Sequence, residues 1–313
     1  MSRKLVIGAA QMGPIARADS RSAVVDRQLA LLEKAHARGC GLVVYPELCL
    51  TTFFPRFDLH DRADMDVFFE MEMPGPDTKR LFDAAKKMKI AFYYGYAEKI
   101  VEDGETHYYN TAILVGPDGE QIGKYRKVHL PGHAETDPKK KVHNFEKRYF
   151  EVGNLGFPVW RALGGVVGMA VCNDRRWPET YRVMGLKGVE LVLIGYNTGA
   201  GNYWGNEAPY LRTFHNSLSL QSGAYQNGTW VVGVAKAGLE EGVAMIGGSM
   251  IVAPSGEIVA QAHTLGDELV VSECDLDECV FAKSTTFDFA RHRRPEHYGI
   301  IASQAGPTPP PEP

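Results

Sequence analysis

Three short segments carry residue types that could act together on a carbon–nitrogen bond: Tyr45-Pro46-Glu47, Lys124-Tyr125-Arg126-Lys127 and Val171-Cys172-Asn173-Asp174. A thiol supplies a nucleophile, a carboxylate takes its proton, and an ammonium steadies the oxyanion of a tetrahedral intermediate. Taken singly, each has a plainer reading. Free cysteine is often a small buried hydrophobe, a carboxylate after a strand is often a cap, and the basic run Lys124, Arg126, Lys127 reads equally as a solvated strand face. Their company shifts the balance. The first and third segments follow apolar runs, Gly41–Tyr45 and Val166–Val171, that read as buried strands ending at a sheet edge. Pro46 removes a ladder donor and ends its strand, aiming Glu47 at that edge. Cys172 stands at a strand-to-helix turn, where a thiol is expected to be partly exposed and near helix N-terminal amides that favour the thiolate.

The elements that must position these groups follow from apolar patterning. Leu5–Ala10 reads as a strand, and Val24–Ala37 carries Val25, Leu29, Leu32 and Ala35 at helical spacing. A Pro-Gly-Pro turn leads into a helix over Asp77–Met88. Further strands are expected at Ile90–Tyr96, Thr111–Val115, Glu190–Ile194, Trp230–Val234, Ser249–Val252 and Leu269–Glu273. Helices are expected over Pro178–Leu186, where proline suits the first turn, and over Tyr210–Ala224. Gly116-Pro117-Asp118-Gly119 and Pro254-Ser255-Gly256-Glu257 read as hairpin turns. Strand–helix alternation with hairpins predicts an α/β fold, a mixed sheet with helices on its faces. No linker rich in proline and glycine divides the chain, so residues 1–305 read as one domain and 306–313 as a disordered Pro-rich tail.

Composition narrows the classes. With 313 residues, 44% hydrophobic and 23% charged, the chain can bury the core of a soluble enzyme. A formal net charge of −4 argues against nucleic acid as a partner. The N-terminal apolar stretch stops at Gln11, short of a secretory signal, and no run reaches membrane-spanning length. The five cysteines, Cys40, Cys49, Cys172, Cys274 and Cys279, lack any CxxC pair, which excludes a zinc ribbon and a disulfide framework. A reducing cytoplasm is the expected setting.

The blocks Pro46-Glu47, Lys124–Leu130 and Cys172–Glu179 resemble the three signature blocks of the nitrilase superfamily, and the resemblance covers nearly the whole chain. It implies a four-layer α-β-β-α sandwich with mixed sheets and a Glu-Lys-Cys triad. Gly13–Ala18, Leu50–Arg56, Met73–Pro76, Glu146–Phe150, Arg182–Leu186 and Ser222–Gly228 are similar to one branch, the N-carbamoyl-D-amino acid amidohydrolases. Carried onto this sequence, the resemblance implies Cys172 as nucleophile, Glu47 as base and Lys127 as oxyanion stabiliser. It implies Glu146 as a second glutamate placing substrate and water. Arg175 and Arg176 match a pair facing the substrate carboxylate, which a guanidinium fork can bind bidentately. Asn173 would lend its backbone N–H to the oxyanion, and His129, Asn197, Thr198 and His215 match positions that line the pocket. The expected reaction is hydrolysis of an N-carbamoyl-D-amino acid, a small carboxylated substrate, to D-amino acid, ammonia and carbon dioxide. A homo-oligomer, dimer or tetramer, is also implied.

Two segments depart from that branch. Glu135–Glu146 has Asn144, with His143 beside it, where the branch has a histidine two residues before the second glutamate. Gly199–Pro209 lacks the branch's proline- and histidine-containing loop. Both are expected to border the pocket and to govern side-chain preference. Other motifs fail. Gly199-Ala200-Gly201 lacks the third glycine of a dinucleotide site, and Gly119–Lys124 is followed by Tyr125 where a phosphate loop needs Ser or Thr. Pro131-Gly132 breaks the helix a His129/His133 metal pair would need. Neither a metal nor a cofactor is expected.

Overall fold

The computed structural model describes residues 2–139, 142–201 and 207–311. Parts of the divergent loops, within Lys139–Lys141 and Gly199–Pro209, and the last two tail residues lie outside the described residues. Strands β1 (Lys4–Gln11), β2 (Leu42–Val44), β3 (Ala91–Glu102), β4 (Glu105–Val115) and β5 (Gln121–Arg126) pair side by side in that order. A second sheet is built from β6 (Val159–Ala162), β7 (Gly165–Val171), β8 (Leu191–Tyr196) and β9 (Trp230–Ala235). A short ribbon, β10 (Ala237–Glu240) and β11 (Val243–Ile246), then leaves the sheet. The chain returns to it as β12 (Met250–Val252) and β13 (Ile258–Gln261), and β14 (Glu268–Asp275) closes the first sheet beside β1.

The two sheets share one pattern of directions. In each, three parallel strands form the centre, β1-β2-β3 and β7-β8-β9. One antiparallel strand flanks that centre on one side; on the other lies an antiparallel strand and then an outer strand that runs with the centre again. Helices α1 (Arg21–Ala37) and α2 (Lys79–Met88) cover the first sheet, and α3 (Pro178–Leu186) and α4 (Pro209–Asn227) the second. The result is the expected four-layer α-β-β-α sandwich.

Side-chain alternation decides which core each residue joins. On β3, Ala91 and Tyr93 enter the core between the sheets, while Phe92 and Tyr94 enter the one beneath α1 and α2. Central strands are therefore buried on both faces, which is why they read as unbroken apolar runs. Tyr93 also ties the sheets together. Its hydroxyl donates to the carbonyl of Ala170 on β7 and accepts from the amide of Gly195 on β8, both at 3.0 Å.

Helices and central strands match the sequence expectation closely. β5, β6, β10, β11 and β13 do not appear in it, and β3 and β4 run well past their expected ends, to Glu102 and from Glu105. The far ends of β3 and β4 are a half-exposed hairpin tip rich in charge, and β6, β10, β11 and β13 are only four residues each, so apolar patterning is weak there. Among the described residues no helix is long and apolar enough to cross a membrane.

Candidate active site

Parallel strands deliver their carboxyl ends to the same side of a sheet, and the chemistry gathers there. Glu47 follows β2, Lys127 follows β5, Cys172 follows β7 and Asn197 follows β8. Glu47 is fully buried and fully engaged. Its Oε1 accepts from Lys127 Nζ at 2.8 Å and Asn110 Nδ2 at 2.7 Å, and its Oε2 from the Asn197 amide at 2.9 Å. Lys127 Nζ also donates to Glu146 Oε2, so one buried ammonium is shared by two buried carboxylates. Burial pulls Lys127 down, but its neighbours, the Glu146 and Glu47 carboxylates among them, outweigh it and hold the ammonium well above its ordinary value.

The path of Pro46-Glu47 between the sheets requires two glycines. A Cβ on Gly195 would lie 2.5 Å from the Glu47 nitrogen, and one on Gly95 would lie 2.7 Å from the Pro46 carbonyl oxygen. Neither obstacle is a flexible side chain. Gly195→Ala is expected to push Glu47 out of register and lower kcat by about 100-fold. An unchanged kcat in the folded variant would show that the base tolerates the shift.

Cys172 opens a 3-10 turn, Cys172–Arg176, with a left-handed φ of +49°. That conformation is uncommon for a residue with a Cβ and concentrates at functional sites. Asp174 holds the turn. Its Oδ2 accepts from the Val171 amide at 3.0 Å and the Tyr125 hydroxyl at 2.7 Å, and its Oδ1 from the His129 amide at 2.9 Å. The thiol lies 3.5 Å from the Asn197 carbonyl oxygen. It is buried rather than partly exposed, and it is pushed up to about 11, by desolvation first and then by the Glu47 charge. Lys127 and Arg175 act in the opposite direction. The expectation of a thiolate favoured by helix amides is thus corrected, since α3 begins only at Pro178. At neutral pH the thiol keeps its proton and needs a base to remove it.

Cys172 and Glu146 face a narrow cavity of about 60 Å³ whose walls include Phe53, Pro131, Asn144, Arg176, Asn197, Thr198, Arg212 and Met245. The expected pocket residues divide around it. Asn197, Thr198 and Arg176 line it, and Arg175 does not. The Arg175 guanidinium is 1% exposed. Its Nε donates to Asn216 at 2.8 Å, Nη1 to the Cys172 carbonyl at 2.6 Å and Nη2 to Thr198 at 2.9 Å, and it lies 4.3 Å from the centre of the Tyr196 ring. With its fork turned inward, Arg175 braces the nucleophile's turn and offers no clamp to a substrate.

Two other assignments, His129 and His215, are corrected in the same way. His129 binds Asp174 through Nδ1 at 2.8 Å, stacks between Phe157 and Trp177, and lines a separate groove. The Asn173 side chain faces that groove too and donates to the His129 carbonyl at 3.1 Å, leaving only its backbone for the oxyanion role. His215 stands half-exposed on α4, 3.1 Å from Glu207, outside the cavity wall. Asn144 occupies the wall and bonds Glu146, while His143 turns away to stack on Phe145 and meet His133 at 3.1 Å. Sequence reasoning gave no role to Asn110, Asp174 or Asn216. Asp174 belongs to the quoted motif, but nothing local marks Asn110 or Asn216.

Glu146 is pushed up to about 7, by burial first and by the Glu47 charge, with Lys127 pulling against both. It is ionised above that pH and protonated below it. Turnover is therefore expected to fall on the acid side of about 7. Glu146→Gln should lower kcat and remove that limb. A limb that stays in place in the variant would belong to another group.

Residues 6–284 match the family model described as carbon-nitrogen hydrolase. The chain is 27% identical to an N-carbamoylputrescine amidase of Arabidopsis thaliana over 315 aligned positions, covering 97% of each protein. It is 31% identical to a nitrilase of Pyrococcus abyssi, covering 79% of this chain and 81% of the relative. Among solved structures, a carbon-nitrogen hydrolase from Helicobacter pylori superposes with a TM-score of 0.82 at 26% identity, over 96% of this chain and 98% of that one.

Proposed function

This chain belongs to the carbon-nitrogen hydrolase family of the nitrilase superfamily, and we propose that its substrates are N-carbamoyl-D-amino acids. The observation that carries this reading is the cation at the cavity. Arg176 lines it, Arg212 stands beside it, and Arg175 lies behind the same turn. Arg176 lines the cavity yet stays exposed, and an anion bound there offsets its repulsion with the neighbouring Arg175. A substrate carboxylate gains from that field, whereas the cationic amine of N-carbamoylputrescine meets like charge. The anchor is Arg176 rather than Arg175.

In this reading Glu47 takes the thiol proton, and Cys172 attacks the ureido carbon. Lys127 and the Asn173 amide hold the oxyanion. Asn197, whose Oδ1 finds no donor among the described residues, takes a ureido N–H. A carbon–nitrogen bond breaks as the leaving nitrogen regains the proton from Glu47, leaving an acyl-thioester on Cys172. Water, deprotonated by Glu47 and oriented by Glu146, then frees the thiol. The carbamic acid so released loses carbon dioxide, which breaks the second carbon–nitrogen bond, so the products are D-amino acid, ammonia and carbon dioxide. At about 60 Å³ the cavity takes the reacting group, and the rest of the substrate extends toward the mouth.

Residues 1–305 act as one hydrolase unit in this proposal, without metal or cofactor. Exposed Tyr210, Phe214 and Leu218, four apart on α4, support a homo-oligomer. The five free cysteines support a cytoplasmic setting. Asn144 at the cavity wall favours, as a second reading, an amidase acting on another carboxylated amide.

The test is ammonia release from D- and L-N-carbamoyl-phenylalanine and from N-carbamoylputrescine. Turnover of the D form alone supports the proposal. Preference for N-carbamoylputrescine rejects the anion anchor, and equal use of L rejects the stereochemical part. Turnover of none of the three would turn the search to other carboxylated amides.

A further inference from the structure

A second group of buried charges lies outside the catalytic set. Glu240, at the end of β10, and Lys236 are both fully buried. Lys236 Nζ reaches Glu240 Oε2 at 2.9 Å and the Thr51 carbonyl at 2.8 Å. Glu240 Oε1 accepts from the Phe53 amide at 2.7 Å and Arg56 Nη2 at 3.2 Å, and Oε2 accepts from the Ile15 amide at 3.0 Å. Arg56 also donates to the Glu240 carbonyl, and to the Phe53 carbonyl at 3.0 Å. One carboxylate thus gathers two cations and three separate stretches of chain. Buried ion groups of this kind add little stability over apolar packing, so their distinctive contribution is direction.

That direction is the cavity wall. Phe53 and Met245 both face the cavity, and Arg56 Nη2 lies 3.5 Å from Met245 Sδ. The strand carrying Met245 is stitched to the opposite wall: the Ile246 amide donates to the Thr198 carbonyl at 2.9 Å, and the Ala200 amide to the Ala244 carbonyl at 2.7 Å. We propose that Glu240 is a positioning residue that, by holding Phe53 and Met245 in place through Arg56 and Lys236, sets the size of substituent the cavity admits. The proposal rests on reading this cavity as the hydrolytic site. Replacing the carboxylate with an amide leaves two cations facing each other and weakens the bond to the Phe53 amide. The Phe53 and Met245 segments then separate.

Alkylation of Cys172 tests this without knowledge of the substrate, so a failed carbamoyl assay and a failed positioning role give separate results. Rates of Cys172 modification are measured with iodoacetamide and with N-benzyl-iodoacetamide, with peptide mapping to confirm the site. In Glu240→Gln the bulky reagent is expected to gain about tenfold or more relative to the small one, whose own rate stays within about threefold. An unchanged ratio in the folded variant overturns the proposal. Should thermal melting show that Glu240→Gln does not fold, Arg56→Lys is read instead. It keeps the charge but loses the fork, so the same gain is expected and the same unchanged ratio overturns.

Discussion

Cys172→Ala is expected to abolish turnover, by at least about 10⁴-fold, because Cys172 is the only thiol among the described residues that line the cavity. The fold should tolerate the change. Among the described residues the thiol meets the Asn197 carbonyl oxygen at 3.5 Å and Arg175 Nη1 at 3.9 Å, both weak contacts, and the left-handed backbone at this position is no harder for alanine than for cysteine. The loss in stability should stay within about 1 kcal/mol, since a single small buried group is removed. Ammonia release and a thermal melt on the same preparation check both halves. Retained turnover above about 1% would reject Cys172 as nucleophile.

Lys127→Met is the second large effect, and it separates chemistry from stability. The ammonium is the common partner of Glu47 and Glu146, and all three are fully buried. In the proposed mechanism its removal costs the oxyanion stabiliser, an expected loss of about 10²–10³ in kcat. It also leaves two carboxylates without their cation, and breaking a buried pair in this way costs about 3–5 kcal/mol. The sign of the pH dependence follows from Glu146, already pushed up to about 7. Without Lys127, which pulls it down, Glu146 holds its proton to still higher pH. A group whose folded-state value is raised contributes stability below its unfolded value and loses it as pH rises through the folded one. The variant's deficit in melting temperature relative to the parent should therefore grow from pH 5 to pH 8. A deficit that shrinks over that range would show that the carboxylates find other partners.

The central strands and the catalytic types were legible because each depends on local pattern. Val43-Val44-Tyr45-Pro46-Glu47 announces a buried strand, a stop and a carboxylate without help from the rest of the chain. The basic run at Lys124–Lys127 was ambiguous because one strand faces two ways. Lys124 and Arg126 share a face and bind Glu98, while Tyr125 and Lys127 share the other and point between the sheets. Arg175 and Arg176 show the limit of motif reading. Adjacent residues of one type take opposite duties, because a tight turn sends one guanidinium inward and the other toward the cavity. Asn110 and Glu240 were invisible, since each acts on a partner more than 60 residues away, at separations of 63 and 187.

The shared direction pattern of the two sheets has a consequence for when the molecule becomes reactive. Glu47 and Lys127 come from one sheet, Cys172 and Asn197 from the other. Neither half carries all of these groups, and the first sheet is not complete until its last strand, β14, arrives. The site therefore behaves as a coincidence detector for assembly. A chain still being made, or one whose sheets have parted while keeping their hydrogen bonds, holds only a protonated thiol and scattered charges.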